Sequence, residues 1–556
     1  MSKQLKIYCV NLGEYLPVEG GETLSAIYAK VRDRIPFEPI CARVNNKNEA
    51  LQYEVYAPKQ VEFMPVNSQS GHRVYVRSLC MMLYRAVVEC CPGTRLRIEH
   101  SISRGYYCRL SGDTAVTPEV VARLRDYMRE LVRRNLPFER KERLTVDVIR
   151  LFEQQGLDDK VKLLKSIHEL YTVYYRLDGV CDSYYGCLAP ETGMLDVFDL
   201  IPYKAGFLLL ARDGVNQDST PEPVPQEKMY NAFTEYLEFN NVVGVRNVGE
   251  LNDTVARKDS AMLINVAEAL HDKKIGRISD DILNRYNQGG ARIVLVAGPS
   301  SSGKTTFTKR LAIQLMTNLL VPKMISLDDY FVNRETTPLD QDGSYDYESL
   351  YALDLKQFNA DLQALLDGKE VELPYYNFEL GRREYRGNKI QLTHNSVLLI
   401  EGIHGLNPEL TQSIDEHMKY RVYVSALTTL AIDDHNWVPT TDNRLLRRII
   451  RDHKYRGVSA TETIARWPSV RRGEERWIFP YQENADAMFN SSLLFELGVM
   501  KSYADEILAG VPHDVPEYAE AYRLIKFLSY FSKIEEHTIP STSLLREFLG
   551  GSSFRY

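Results

Sequence analysis

No uninterrupted apolar run in the 556-residue sequence approaches the roughly 18 residues that cross a bilayer, so no membrane-spanning helix is expected. The N-terminal stretch MSKQLKIYCVNLGEYL has neither a long apolar core nor a small-residue cleavage site, and the chain is expected to work in the cytoplasm. Cysteine is scarce and unpatterned. The eight residues Cys9, Cys41, Cys80, Cys90, Cys91, Cys108, Cys181 and Cys187 form no CxxC pair, and none lies in the second half. That pattern indicates neither a zinc ribbon nor a disulfide framework, and reduced, mostly buried thiols are expected. Charge of one sign is also not in excess: a net −7 argues against non-specific attraction to nucleic acid or anionic lipid, while leaving room for a local basic site. Internal repeats and low-complexity tracts are absent. What remains is an ordinary globular composition, long enough for about three to four domains.

Alternating residues in LKIYCVNLGEYLPVEGG, a short helical pattern in LSAIYAKVRD and further strand-like pieces to about residue 66 predict a small α/β unit. From 67 to 225, the periodic helix VRSLCMMLYRAVVECC, the strand pair LRIEHSIS and GYYCRL, and the helical stretches PEVVARLRDYMRELVRR and TVDVIRLFEQQ predict an α+β domain. STPEPVPQEK reads as a linker. Residues 226–288 read as a helical connector in which Ser279 starts a helix. From 289 to 510 strands and helices alternate, the pattern of a parallel sheet with helices on both faces, and 511–556 reads as a helical tail.

Within that α/β unit, the apolar strand ARIVLVAG leads into GPSSSGKT and then into the helical pattern TFTKRLAIQLMTNLL. Strand, glycine-rich loop and helix in this order make a phosphate cradle. Its binding groups are Gly298, Ser300, Ser301, Ser302, Gly303, Lys304, Thr305 and Thr306. Backbone N–H groups and the helix N-terminus attract the phosphates, Lys304 reaches the outer ones, and the Thr305 hydroxyl is placed to ligate Mg2+. The cradle is shared by GTPases, motors and kinases, so the choice among them rests on the residues downstream. KMISLDDYF is read as a strand with Asp328 and Asp329 at its tip, pointing to opposite sides, so that one of them is catalytic. SVLLIEG ends in Glu401 at the same sheet edge. Three acids thus converge on the loop, where one can take a proton from an attacking alcohol and another can hold the metal. DNRLLRRIIRDHKYRG is read with Asp442 as N-cap and Arg444, Arg448 and Arg451 along one face, either clamping phosphates or lying solvated and paired with acids. Arg456, Arg471, Arg472 and Arg476 are candidates for a lid.

In order, GPSSSGKT, SLDDYF, YDYESL, LPYYNF, LLIEGIHGL and RLLRRIIRDHKYRG resemble the uridine kinase and phosphoribulokinase branch of phosphate-loop kinases, over about 290–510. The resemblance implies an α/β P-loop kinase domain that uses ATP or GTP with Mg2+. It implies Asp328 as base on a nucleoside 5'-hydroxyl, with Lys304 as its catalytic companion, and Thr305, Glu401 and Asp328 around the metal. It further implies Asp346 at the ribose, Tyr376 and Phe378 at the base, and Arg448, Arg451 and Arg456 at substrate and phosphates. Two positions depart from the family pattern: Gly381 or its neighbours stand where a base-reading histidine is expected, and Val458 where an arginine is. Pyrimidine selectivity is therefore not carried over.

The front half resembles the N-terminal region of threonyl-tRNA synthetases, a β-grasp unit of TGS type followed by the editing domain, through RSLCMMLYRAVVECCPG, EHSISRGYYCRL and YYGCLAPETG. The editing positions read Arg77, Met81, Tyr184 and Leu188, and Met and Leu can neither move protons nor bind metal, which argues against an editing hydrolase. RNA contact, regulation or dimerisation stays open for that half. Function is read as phosphorylation of uridine or a related nucleoside. The alternatives are another alcohol or a sugar phosphate, to which Arg382, Arg383 and Arg386 could answer, or an RNA-associated nucleotide-dependent regulator.

Overall fold

A computed structural model of the protein describes residues 4–214, 216–340 and 343–555, so the first three residues of the N-terminal stretch lie outside it. Alternation in QLKIYC buries Leu5, Ile7 and Cys9 on one face of the strand Gln4–Cys9. It pairs antiparallel with Glu14–Glu19 and parallel with Gln60–Pro65, which in turn pairs with Pro39–Val44, edged by Lys47–Glu49. The helix Leu24–Val31, capped by Thr23 on the Ala26 amide, buries Leu24, Ile27 and Val31. This is a β-grasp arrangement.

The adjoining α+β domain is built on Gln69–Cys90, a helix buried along most of its length. A four-stranded sheet (Asp199–Tyr203, Gly206–Leu210, Gly105–Gly112, Thr94–Ile102) and a three-stranded one (Glu139–Leu144, Tyr171–Leu177, Val180–Asp182) belong to the same unit. Residues 226–288 contain Glu227–Val243, Val248–Ala256 and Ser260–Asn287. No helix starts at Ser279, contrary to the sequence reading. The Ser279 hydroxyl accepts from Asn318 at 3.0 Å instead of capping a backbone N–H, and the long helix runs through it.

The kinase-like part carries one parallel sheet in the spatial order Val321–Ser326, Ser396–Glu401, Ile293–Ala297, Lys419–Ser425, Ala487–Asn490. Ile293–Ala297 is buried at every residue, as a central strand covered on both faces must be. Val294 and Val296 pack with Phe307, Leu311, Leu315, Ile275 and Ile282; Ile293 and Leu295 pack on the other face with Tyr330, Phe358 and Leu362. After the helix Tyr518–Ser529 the chain returns to this domain, where Leu544 joins the core beneath the phosphate loop.

Buried ion pairs tie the front half to the rest. Lys160 lies 2.8 Å from Asp182 and 2.9 Å from Asp433, and the His435 Nδ1 lies 2.8 Å from Asp182. Arg73 makes a two-pronged contact with Glu520 at 2.6 and 3.0 Å.

Candidate active site

The strand Ile293–Ala297 delivers its chain to a loop that must turn against the neighbouring strand. A Cβ at position 298 would sit 1.9 Å from the Val424 carbonyl oxygen, so only glycine fits. Gly303, at φ +84°, completes the turn and starts the helix Lys304–Thr317. Three buried groups fix the loop from behind. Arg444 Nε donates to the Ser300 carbonyl at 2.9 Å, Glu474 accepts from the Ser300 amide at 3.1 Å, and Arg447 reaches the Ser301 carbonyl while pairing with Glu496 at 2.5 Å.

The reacting face lies in front. The Thr305 hydroxyl is 3.1 and 3.3 Å from the two Glu401 oxygens, and Lys304 Nζ donates to the Pro299 carbonyl at 3.1 Å. Burial pushes the Glu401 carboxyl up to about 7 against the pull of Lys304. Burial also lowers the Lys304 ammonium from its ordinary value, opposed by Glu401 and then Asp328. Hydroxyl and carboxylate oxygens at adjacent strand and helix ends are the hard donor set that Mg2+ takes, so Thr305 and Glu401 fit that ion.

Asp328 and Asp329 do diverge, but not because they alternate on a strand. The strand ends at Ser326, whose hydroxyl accepts from the Asp328 amide at 3.3 Å and starts a short 3-10 turn, Leu327–Tyr330. Asp329 Oδ1 accepts from the Tyr376 amide at 3.3 Å. Asp328 stays open to water in a cleft walled by protein, and those walls raise its carboxyl above the ordinary range, with Lys304, Arg456 and Arg451 pulling it back.

Asp346 is half-buried near the cleft and accepts from the Glu348 amide at 3.1 Å. Tyr376 and Phe378 join Phe331 and Tyr347 in an aromatic cluster, with ring centroids of Tyr376 and Phe378 at 5.0 Å and of Phe331 and Tyr376 at 5.5 Å. At Gly381, the space a side chain would need is filled by Arg334, 2.7 Å from where a Cβ would lie. Arg448 donates to the Ser300 hydroxyl at 2.7 Å. Arg448, Arg451 and Arg456 share Asp452 at 3.3, 3.0 and 3.3 Å.

One sequence expectation is corrected here, and the arginines singled out in the sequence have the following partners. Asp442 does not cap the helix, which runs Thr440–Arg456 after Pro439; its carboxylate is held by Arg523 at 2.7 and 2.9 Å. Arg444 takes the second of its two readings, paired with an acid, Glu474, although the pair is buried under the loop and not solvated. In the lid candidates, Arg471 pairs with Glu474 at 3.2 Å, Arg472 with Asp340 at 2.8 Å, and Arg476 lies over Trp477 at 4.8 Å. Of the arginines offered for an anionic acceptor, Arg383 is bound to Asp354 at 2.7 Å and Arg386 to Glu384 at 2.9 Å, while Arg382 lies 3.9 Å from Glu384.

Two acids at the site escaped sequence reasoning. Glu348, within YDYESL, faces Lys304 and Arg448, and burial followed by Glu474 pushes it up to about 7. Glu547, from the C-terminal tail, accepts from the Thr306 amide at 3.2 Å and the Thr306 hydroxyl at 2.7 Å, taking an anion position at the helix N-terminus. Glu348 was readable from its motif; Glu547 had no local signal.

Cradle, parallel sheet and converging acids define a phosphate-loop kinase architecture. Residues 293–493 match the model of the Phosphoribulokinase / Uridine kinase family. A uridine kinase of Brevibacillus brevis is 28% identical over 201 residues, 36% of this chain and 85% of its own length. A uridine kinase of Halobacterium salinarum is 25% identical over 192 residues, 34% of this chain and 76% of that enzyme. Over the N-terminal half, a threonine–tRNA ligase of Rubrobacter xylanophilus is 28% identical across 188 residues, 34% of this chain; the match spans only 29% of the ligase. Among solved structures, a D-glycerate 3-kinase from Cryptococcus neoformans aligns with 46% of this chain and 87% of its own at 16% identity, with a TM-score of 0.22.

Proposed function

We propose that the domain bearing the cradle transfers the γ-phosphoryl group of ATP, or GTP, to the 5'-hydroxyl of uridine or a related nucleoside. The observation that carries this reading is the placement of Asp328: a carboxylate open to a cleft, within the field of Lys304, with an aromatic cluster beside it. In this reading the aromatic ring of the acceptor packs against Tyr376 and Phe378, and Asp346 holds its sugar hydroxyls. Asp328 accepts the proton of the attacking hydroxyl as its oxygen bonds to the γ-phosphorus and the bond to the β-bridging oxygen breaks, leaving the nucleoside diphosphate. A carboxylate raised from its usual range is a better proton acceptor near neutrality than one fully solvated. Lys304, Arg448, Arg451 and Arg456 offset the phosphate charge. Thr305 and Glu401, with Asp328 nearby, would hold Mg2+, which would supply charge neutralisation along the polyphosphate.

Incubating the chain with ATP, Mg2+ and a panel of nucleosides, sugars and sugar phosphates, and identifying products by phosphorus NMR, tests the acceptor. A nucleoside 5'-monophosphate is expected. Product only from a sugar phosphate would overturn the acceptor while keeping the kinase, and the acid pairing of Arg383 and Arg386 speaks against that outcome.

A further inference from the structure

Away from the cradle, a cavity of about 380 Å³ opens between the two halves, within the size range of small-molecule sites. Its wall is drawn from four parts of the chain: Glu49 of the β-grasp unit, Arg77 and Tyr184 of the α+β domain, Asp433 of the kinase part, and Tyr522 and Lys526 of the tail. Most of its buried charges are compensated. Lys160 is held by Asp182 and Asp433, Arg73 by Glu520, and Arg523 by Asp442 and Glu520.

Arg77 is the exception. Its side chain is 9% exposed, yet among the described residues no carboxylate lies within salt-bridge distance of it, and its Nε has no hydrogen-bond partner. The guanidinium lies 5.7 Å from the Tyr185 ring and directly against Gly186, where a Cβ would fall 2.0 Å from Nη1. A missing side chain at 186 therefore makes the room in which this cation sits. Burying a cation without an anion is costly, and a fold that keeps one facing a cavity is arranged to receive the anion from outside. Lys526, exposed at the same wall, also lacks a carboxylate within salt-bridge distance among the described residues. The acids of the wall are Glu49, Glu142, Glu169 and Asp433. Burial raises the Glu49 carboxyl from its ordinary value, against the pull of Arg140, Lys47 and Lys526.

We propose that this cavity binds a small organic phosphate monoester, its phosphate on the Arg77 guanidinium and its sugar or ring body against Tyr184 and Tyr522. The site is distinct from the cradle and does not rest on the acceptor assigned above. Guanidinium forks match phosphate oxygens, and tyrosine faces pack well on planar or sugar rings.

Calorimetric titration of uridine 5'-monophosphate and of ribose 5-phosphate into three full-length chains, wild type, Lys304→Ala and Arg77→Met, tests it. In the Lys304→Ala chain ribose 5-phosphate, which lacks the ring that the acceptor cleft would hold, is expected to keep a binding event that weakens about tenfold or more in Arg77→Met, the loss of one charge-assisted fork, while Arg77→Met still binds ATP. Without ligand, Arg77→Met is expected to melt no lower than wild type, because it removes an uncompensated buried charge. Gly186→Ala, which displaces the guanidinium without removing it, is expected to weaken the same event. Binding that survives unchanged in both Arg77→Met and Gly186→Ala, no binding of either probe to the Lys304→Ala chain, or an Arg77→Met chain that melts markedly lower without ligand would overturn the proposal.

Discussion

Lys304 lies half-buried within the field of both Glu401 and Glu348. Lys304→Ala removes the cation that opposes burial at Glu401 and Asp328. Nucleotide affinity, read by calorimetry, is expected to drop by about tenfold or more, the worth of a charge-assisted contact to phosphate. Glu348 makes a pH prediction. Its carboxyl sits near 7 in the folded chain against an ordinary 4.5, so the fold favours the protonated form. That stabilising contribution is complete below about pH 4.5 and is lost as pH rises through about 7. The melting temperature of the nucleotide-free chain is expected to decline between about pH 4.5 and pH 7, and Glu348→Gln to flatten the decline; an unchanged slope in the variant would contradict this assignment. At this scale the cradle was legible in the sequence, because GPSSSGKT must form one loop between one strand and one helix. The role of Arg444 was not. A periodic row of arginines looks the same whether it faces phosphate or a buried Glu474 that lies 30 residues on.

The C-terminal tail is the element with the least sequence signal and a direct hold on the site. Glu547 places a carboxylate on the Thr306 amide and hydroxyl at the start of the helix Lys304–Thr317, and Lys454 Nζ donates to the Leu549 carbonyl, fastening the tail to the helix Thr440–Arg456. A carboxylate there competes with phosphate for the same donors. Glu547→Gln is expected to tighten nucleotide binding about fivefold to tenfold by calorimetry, with little change in melting temperature, since the side chain keeps its size and Leu544 and Phe548 stay buried. Weaker binding in Glu547→Gln would show the carboxylate helping the nucleotide instead. Ile293–Ala297 was readable as an unbroken apolar run and Pro118–Arg134 by its helical spacing of buried residues, because each signal lies within the element. The break after Ser326 was not. A serine hydroxyl capping a 3-10 turn interrupts an otherwise strand-like string, and only the packed structure decides between them.

Across the whole molecule, the two halves share buried ion networks more than a loose linker. Lys160 has acid partners on both sides, Asp182 from the α+β domain and Asp433 from the kinase part. Lys160→Met leaves two buried carboxylates without their cation and is expected to destabilise the chain by about 3–5 kcal/mol. Hydrogen exchange is expected to report that loss in residues of both halves; exchange that quickens in one half only would contradict a shared network. A parallel α/β part behind mixed N-terminal sheets was legible, because strands and helices there carry their own patterns. The docking of the two parts was not, since the residues that meet are hundreds of positions apart and nothing local marks Asp182 and His435 as partners.

The account depends most on Asp328 as the proton acceptor. Single-turnover transfer from radiolabelled ATP to uridine, compared between wild type and Asp328→Asn with calorimetric nucleotide binding alongside, tests it most directly. The expected result is unchanged nucleotide affinity with transfer slowed by about a hundredfold or more. Transfer at the wild-type rate in Asp328→Asn would show that another group takes the proton.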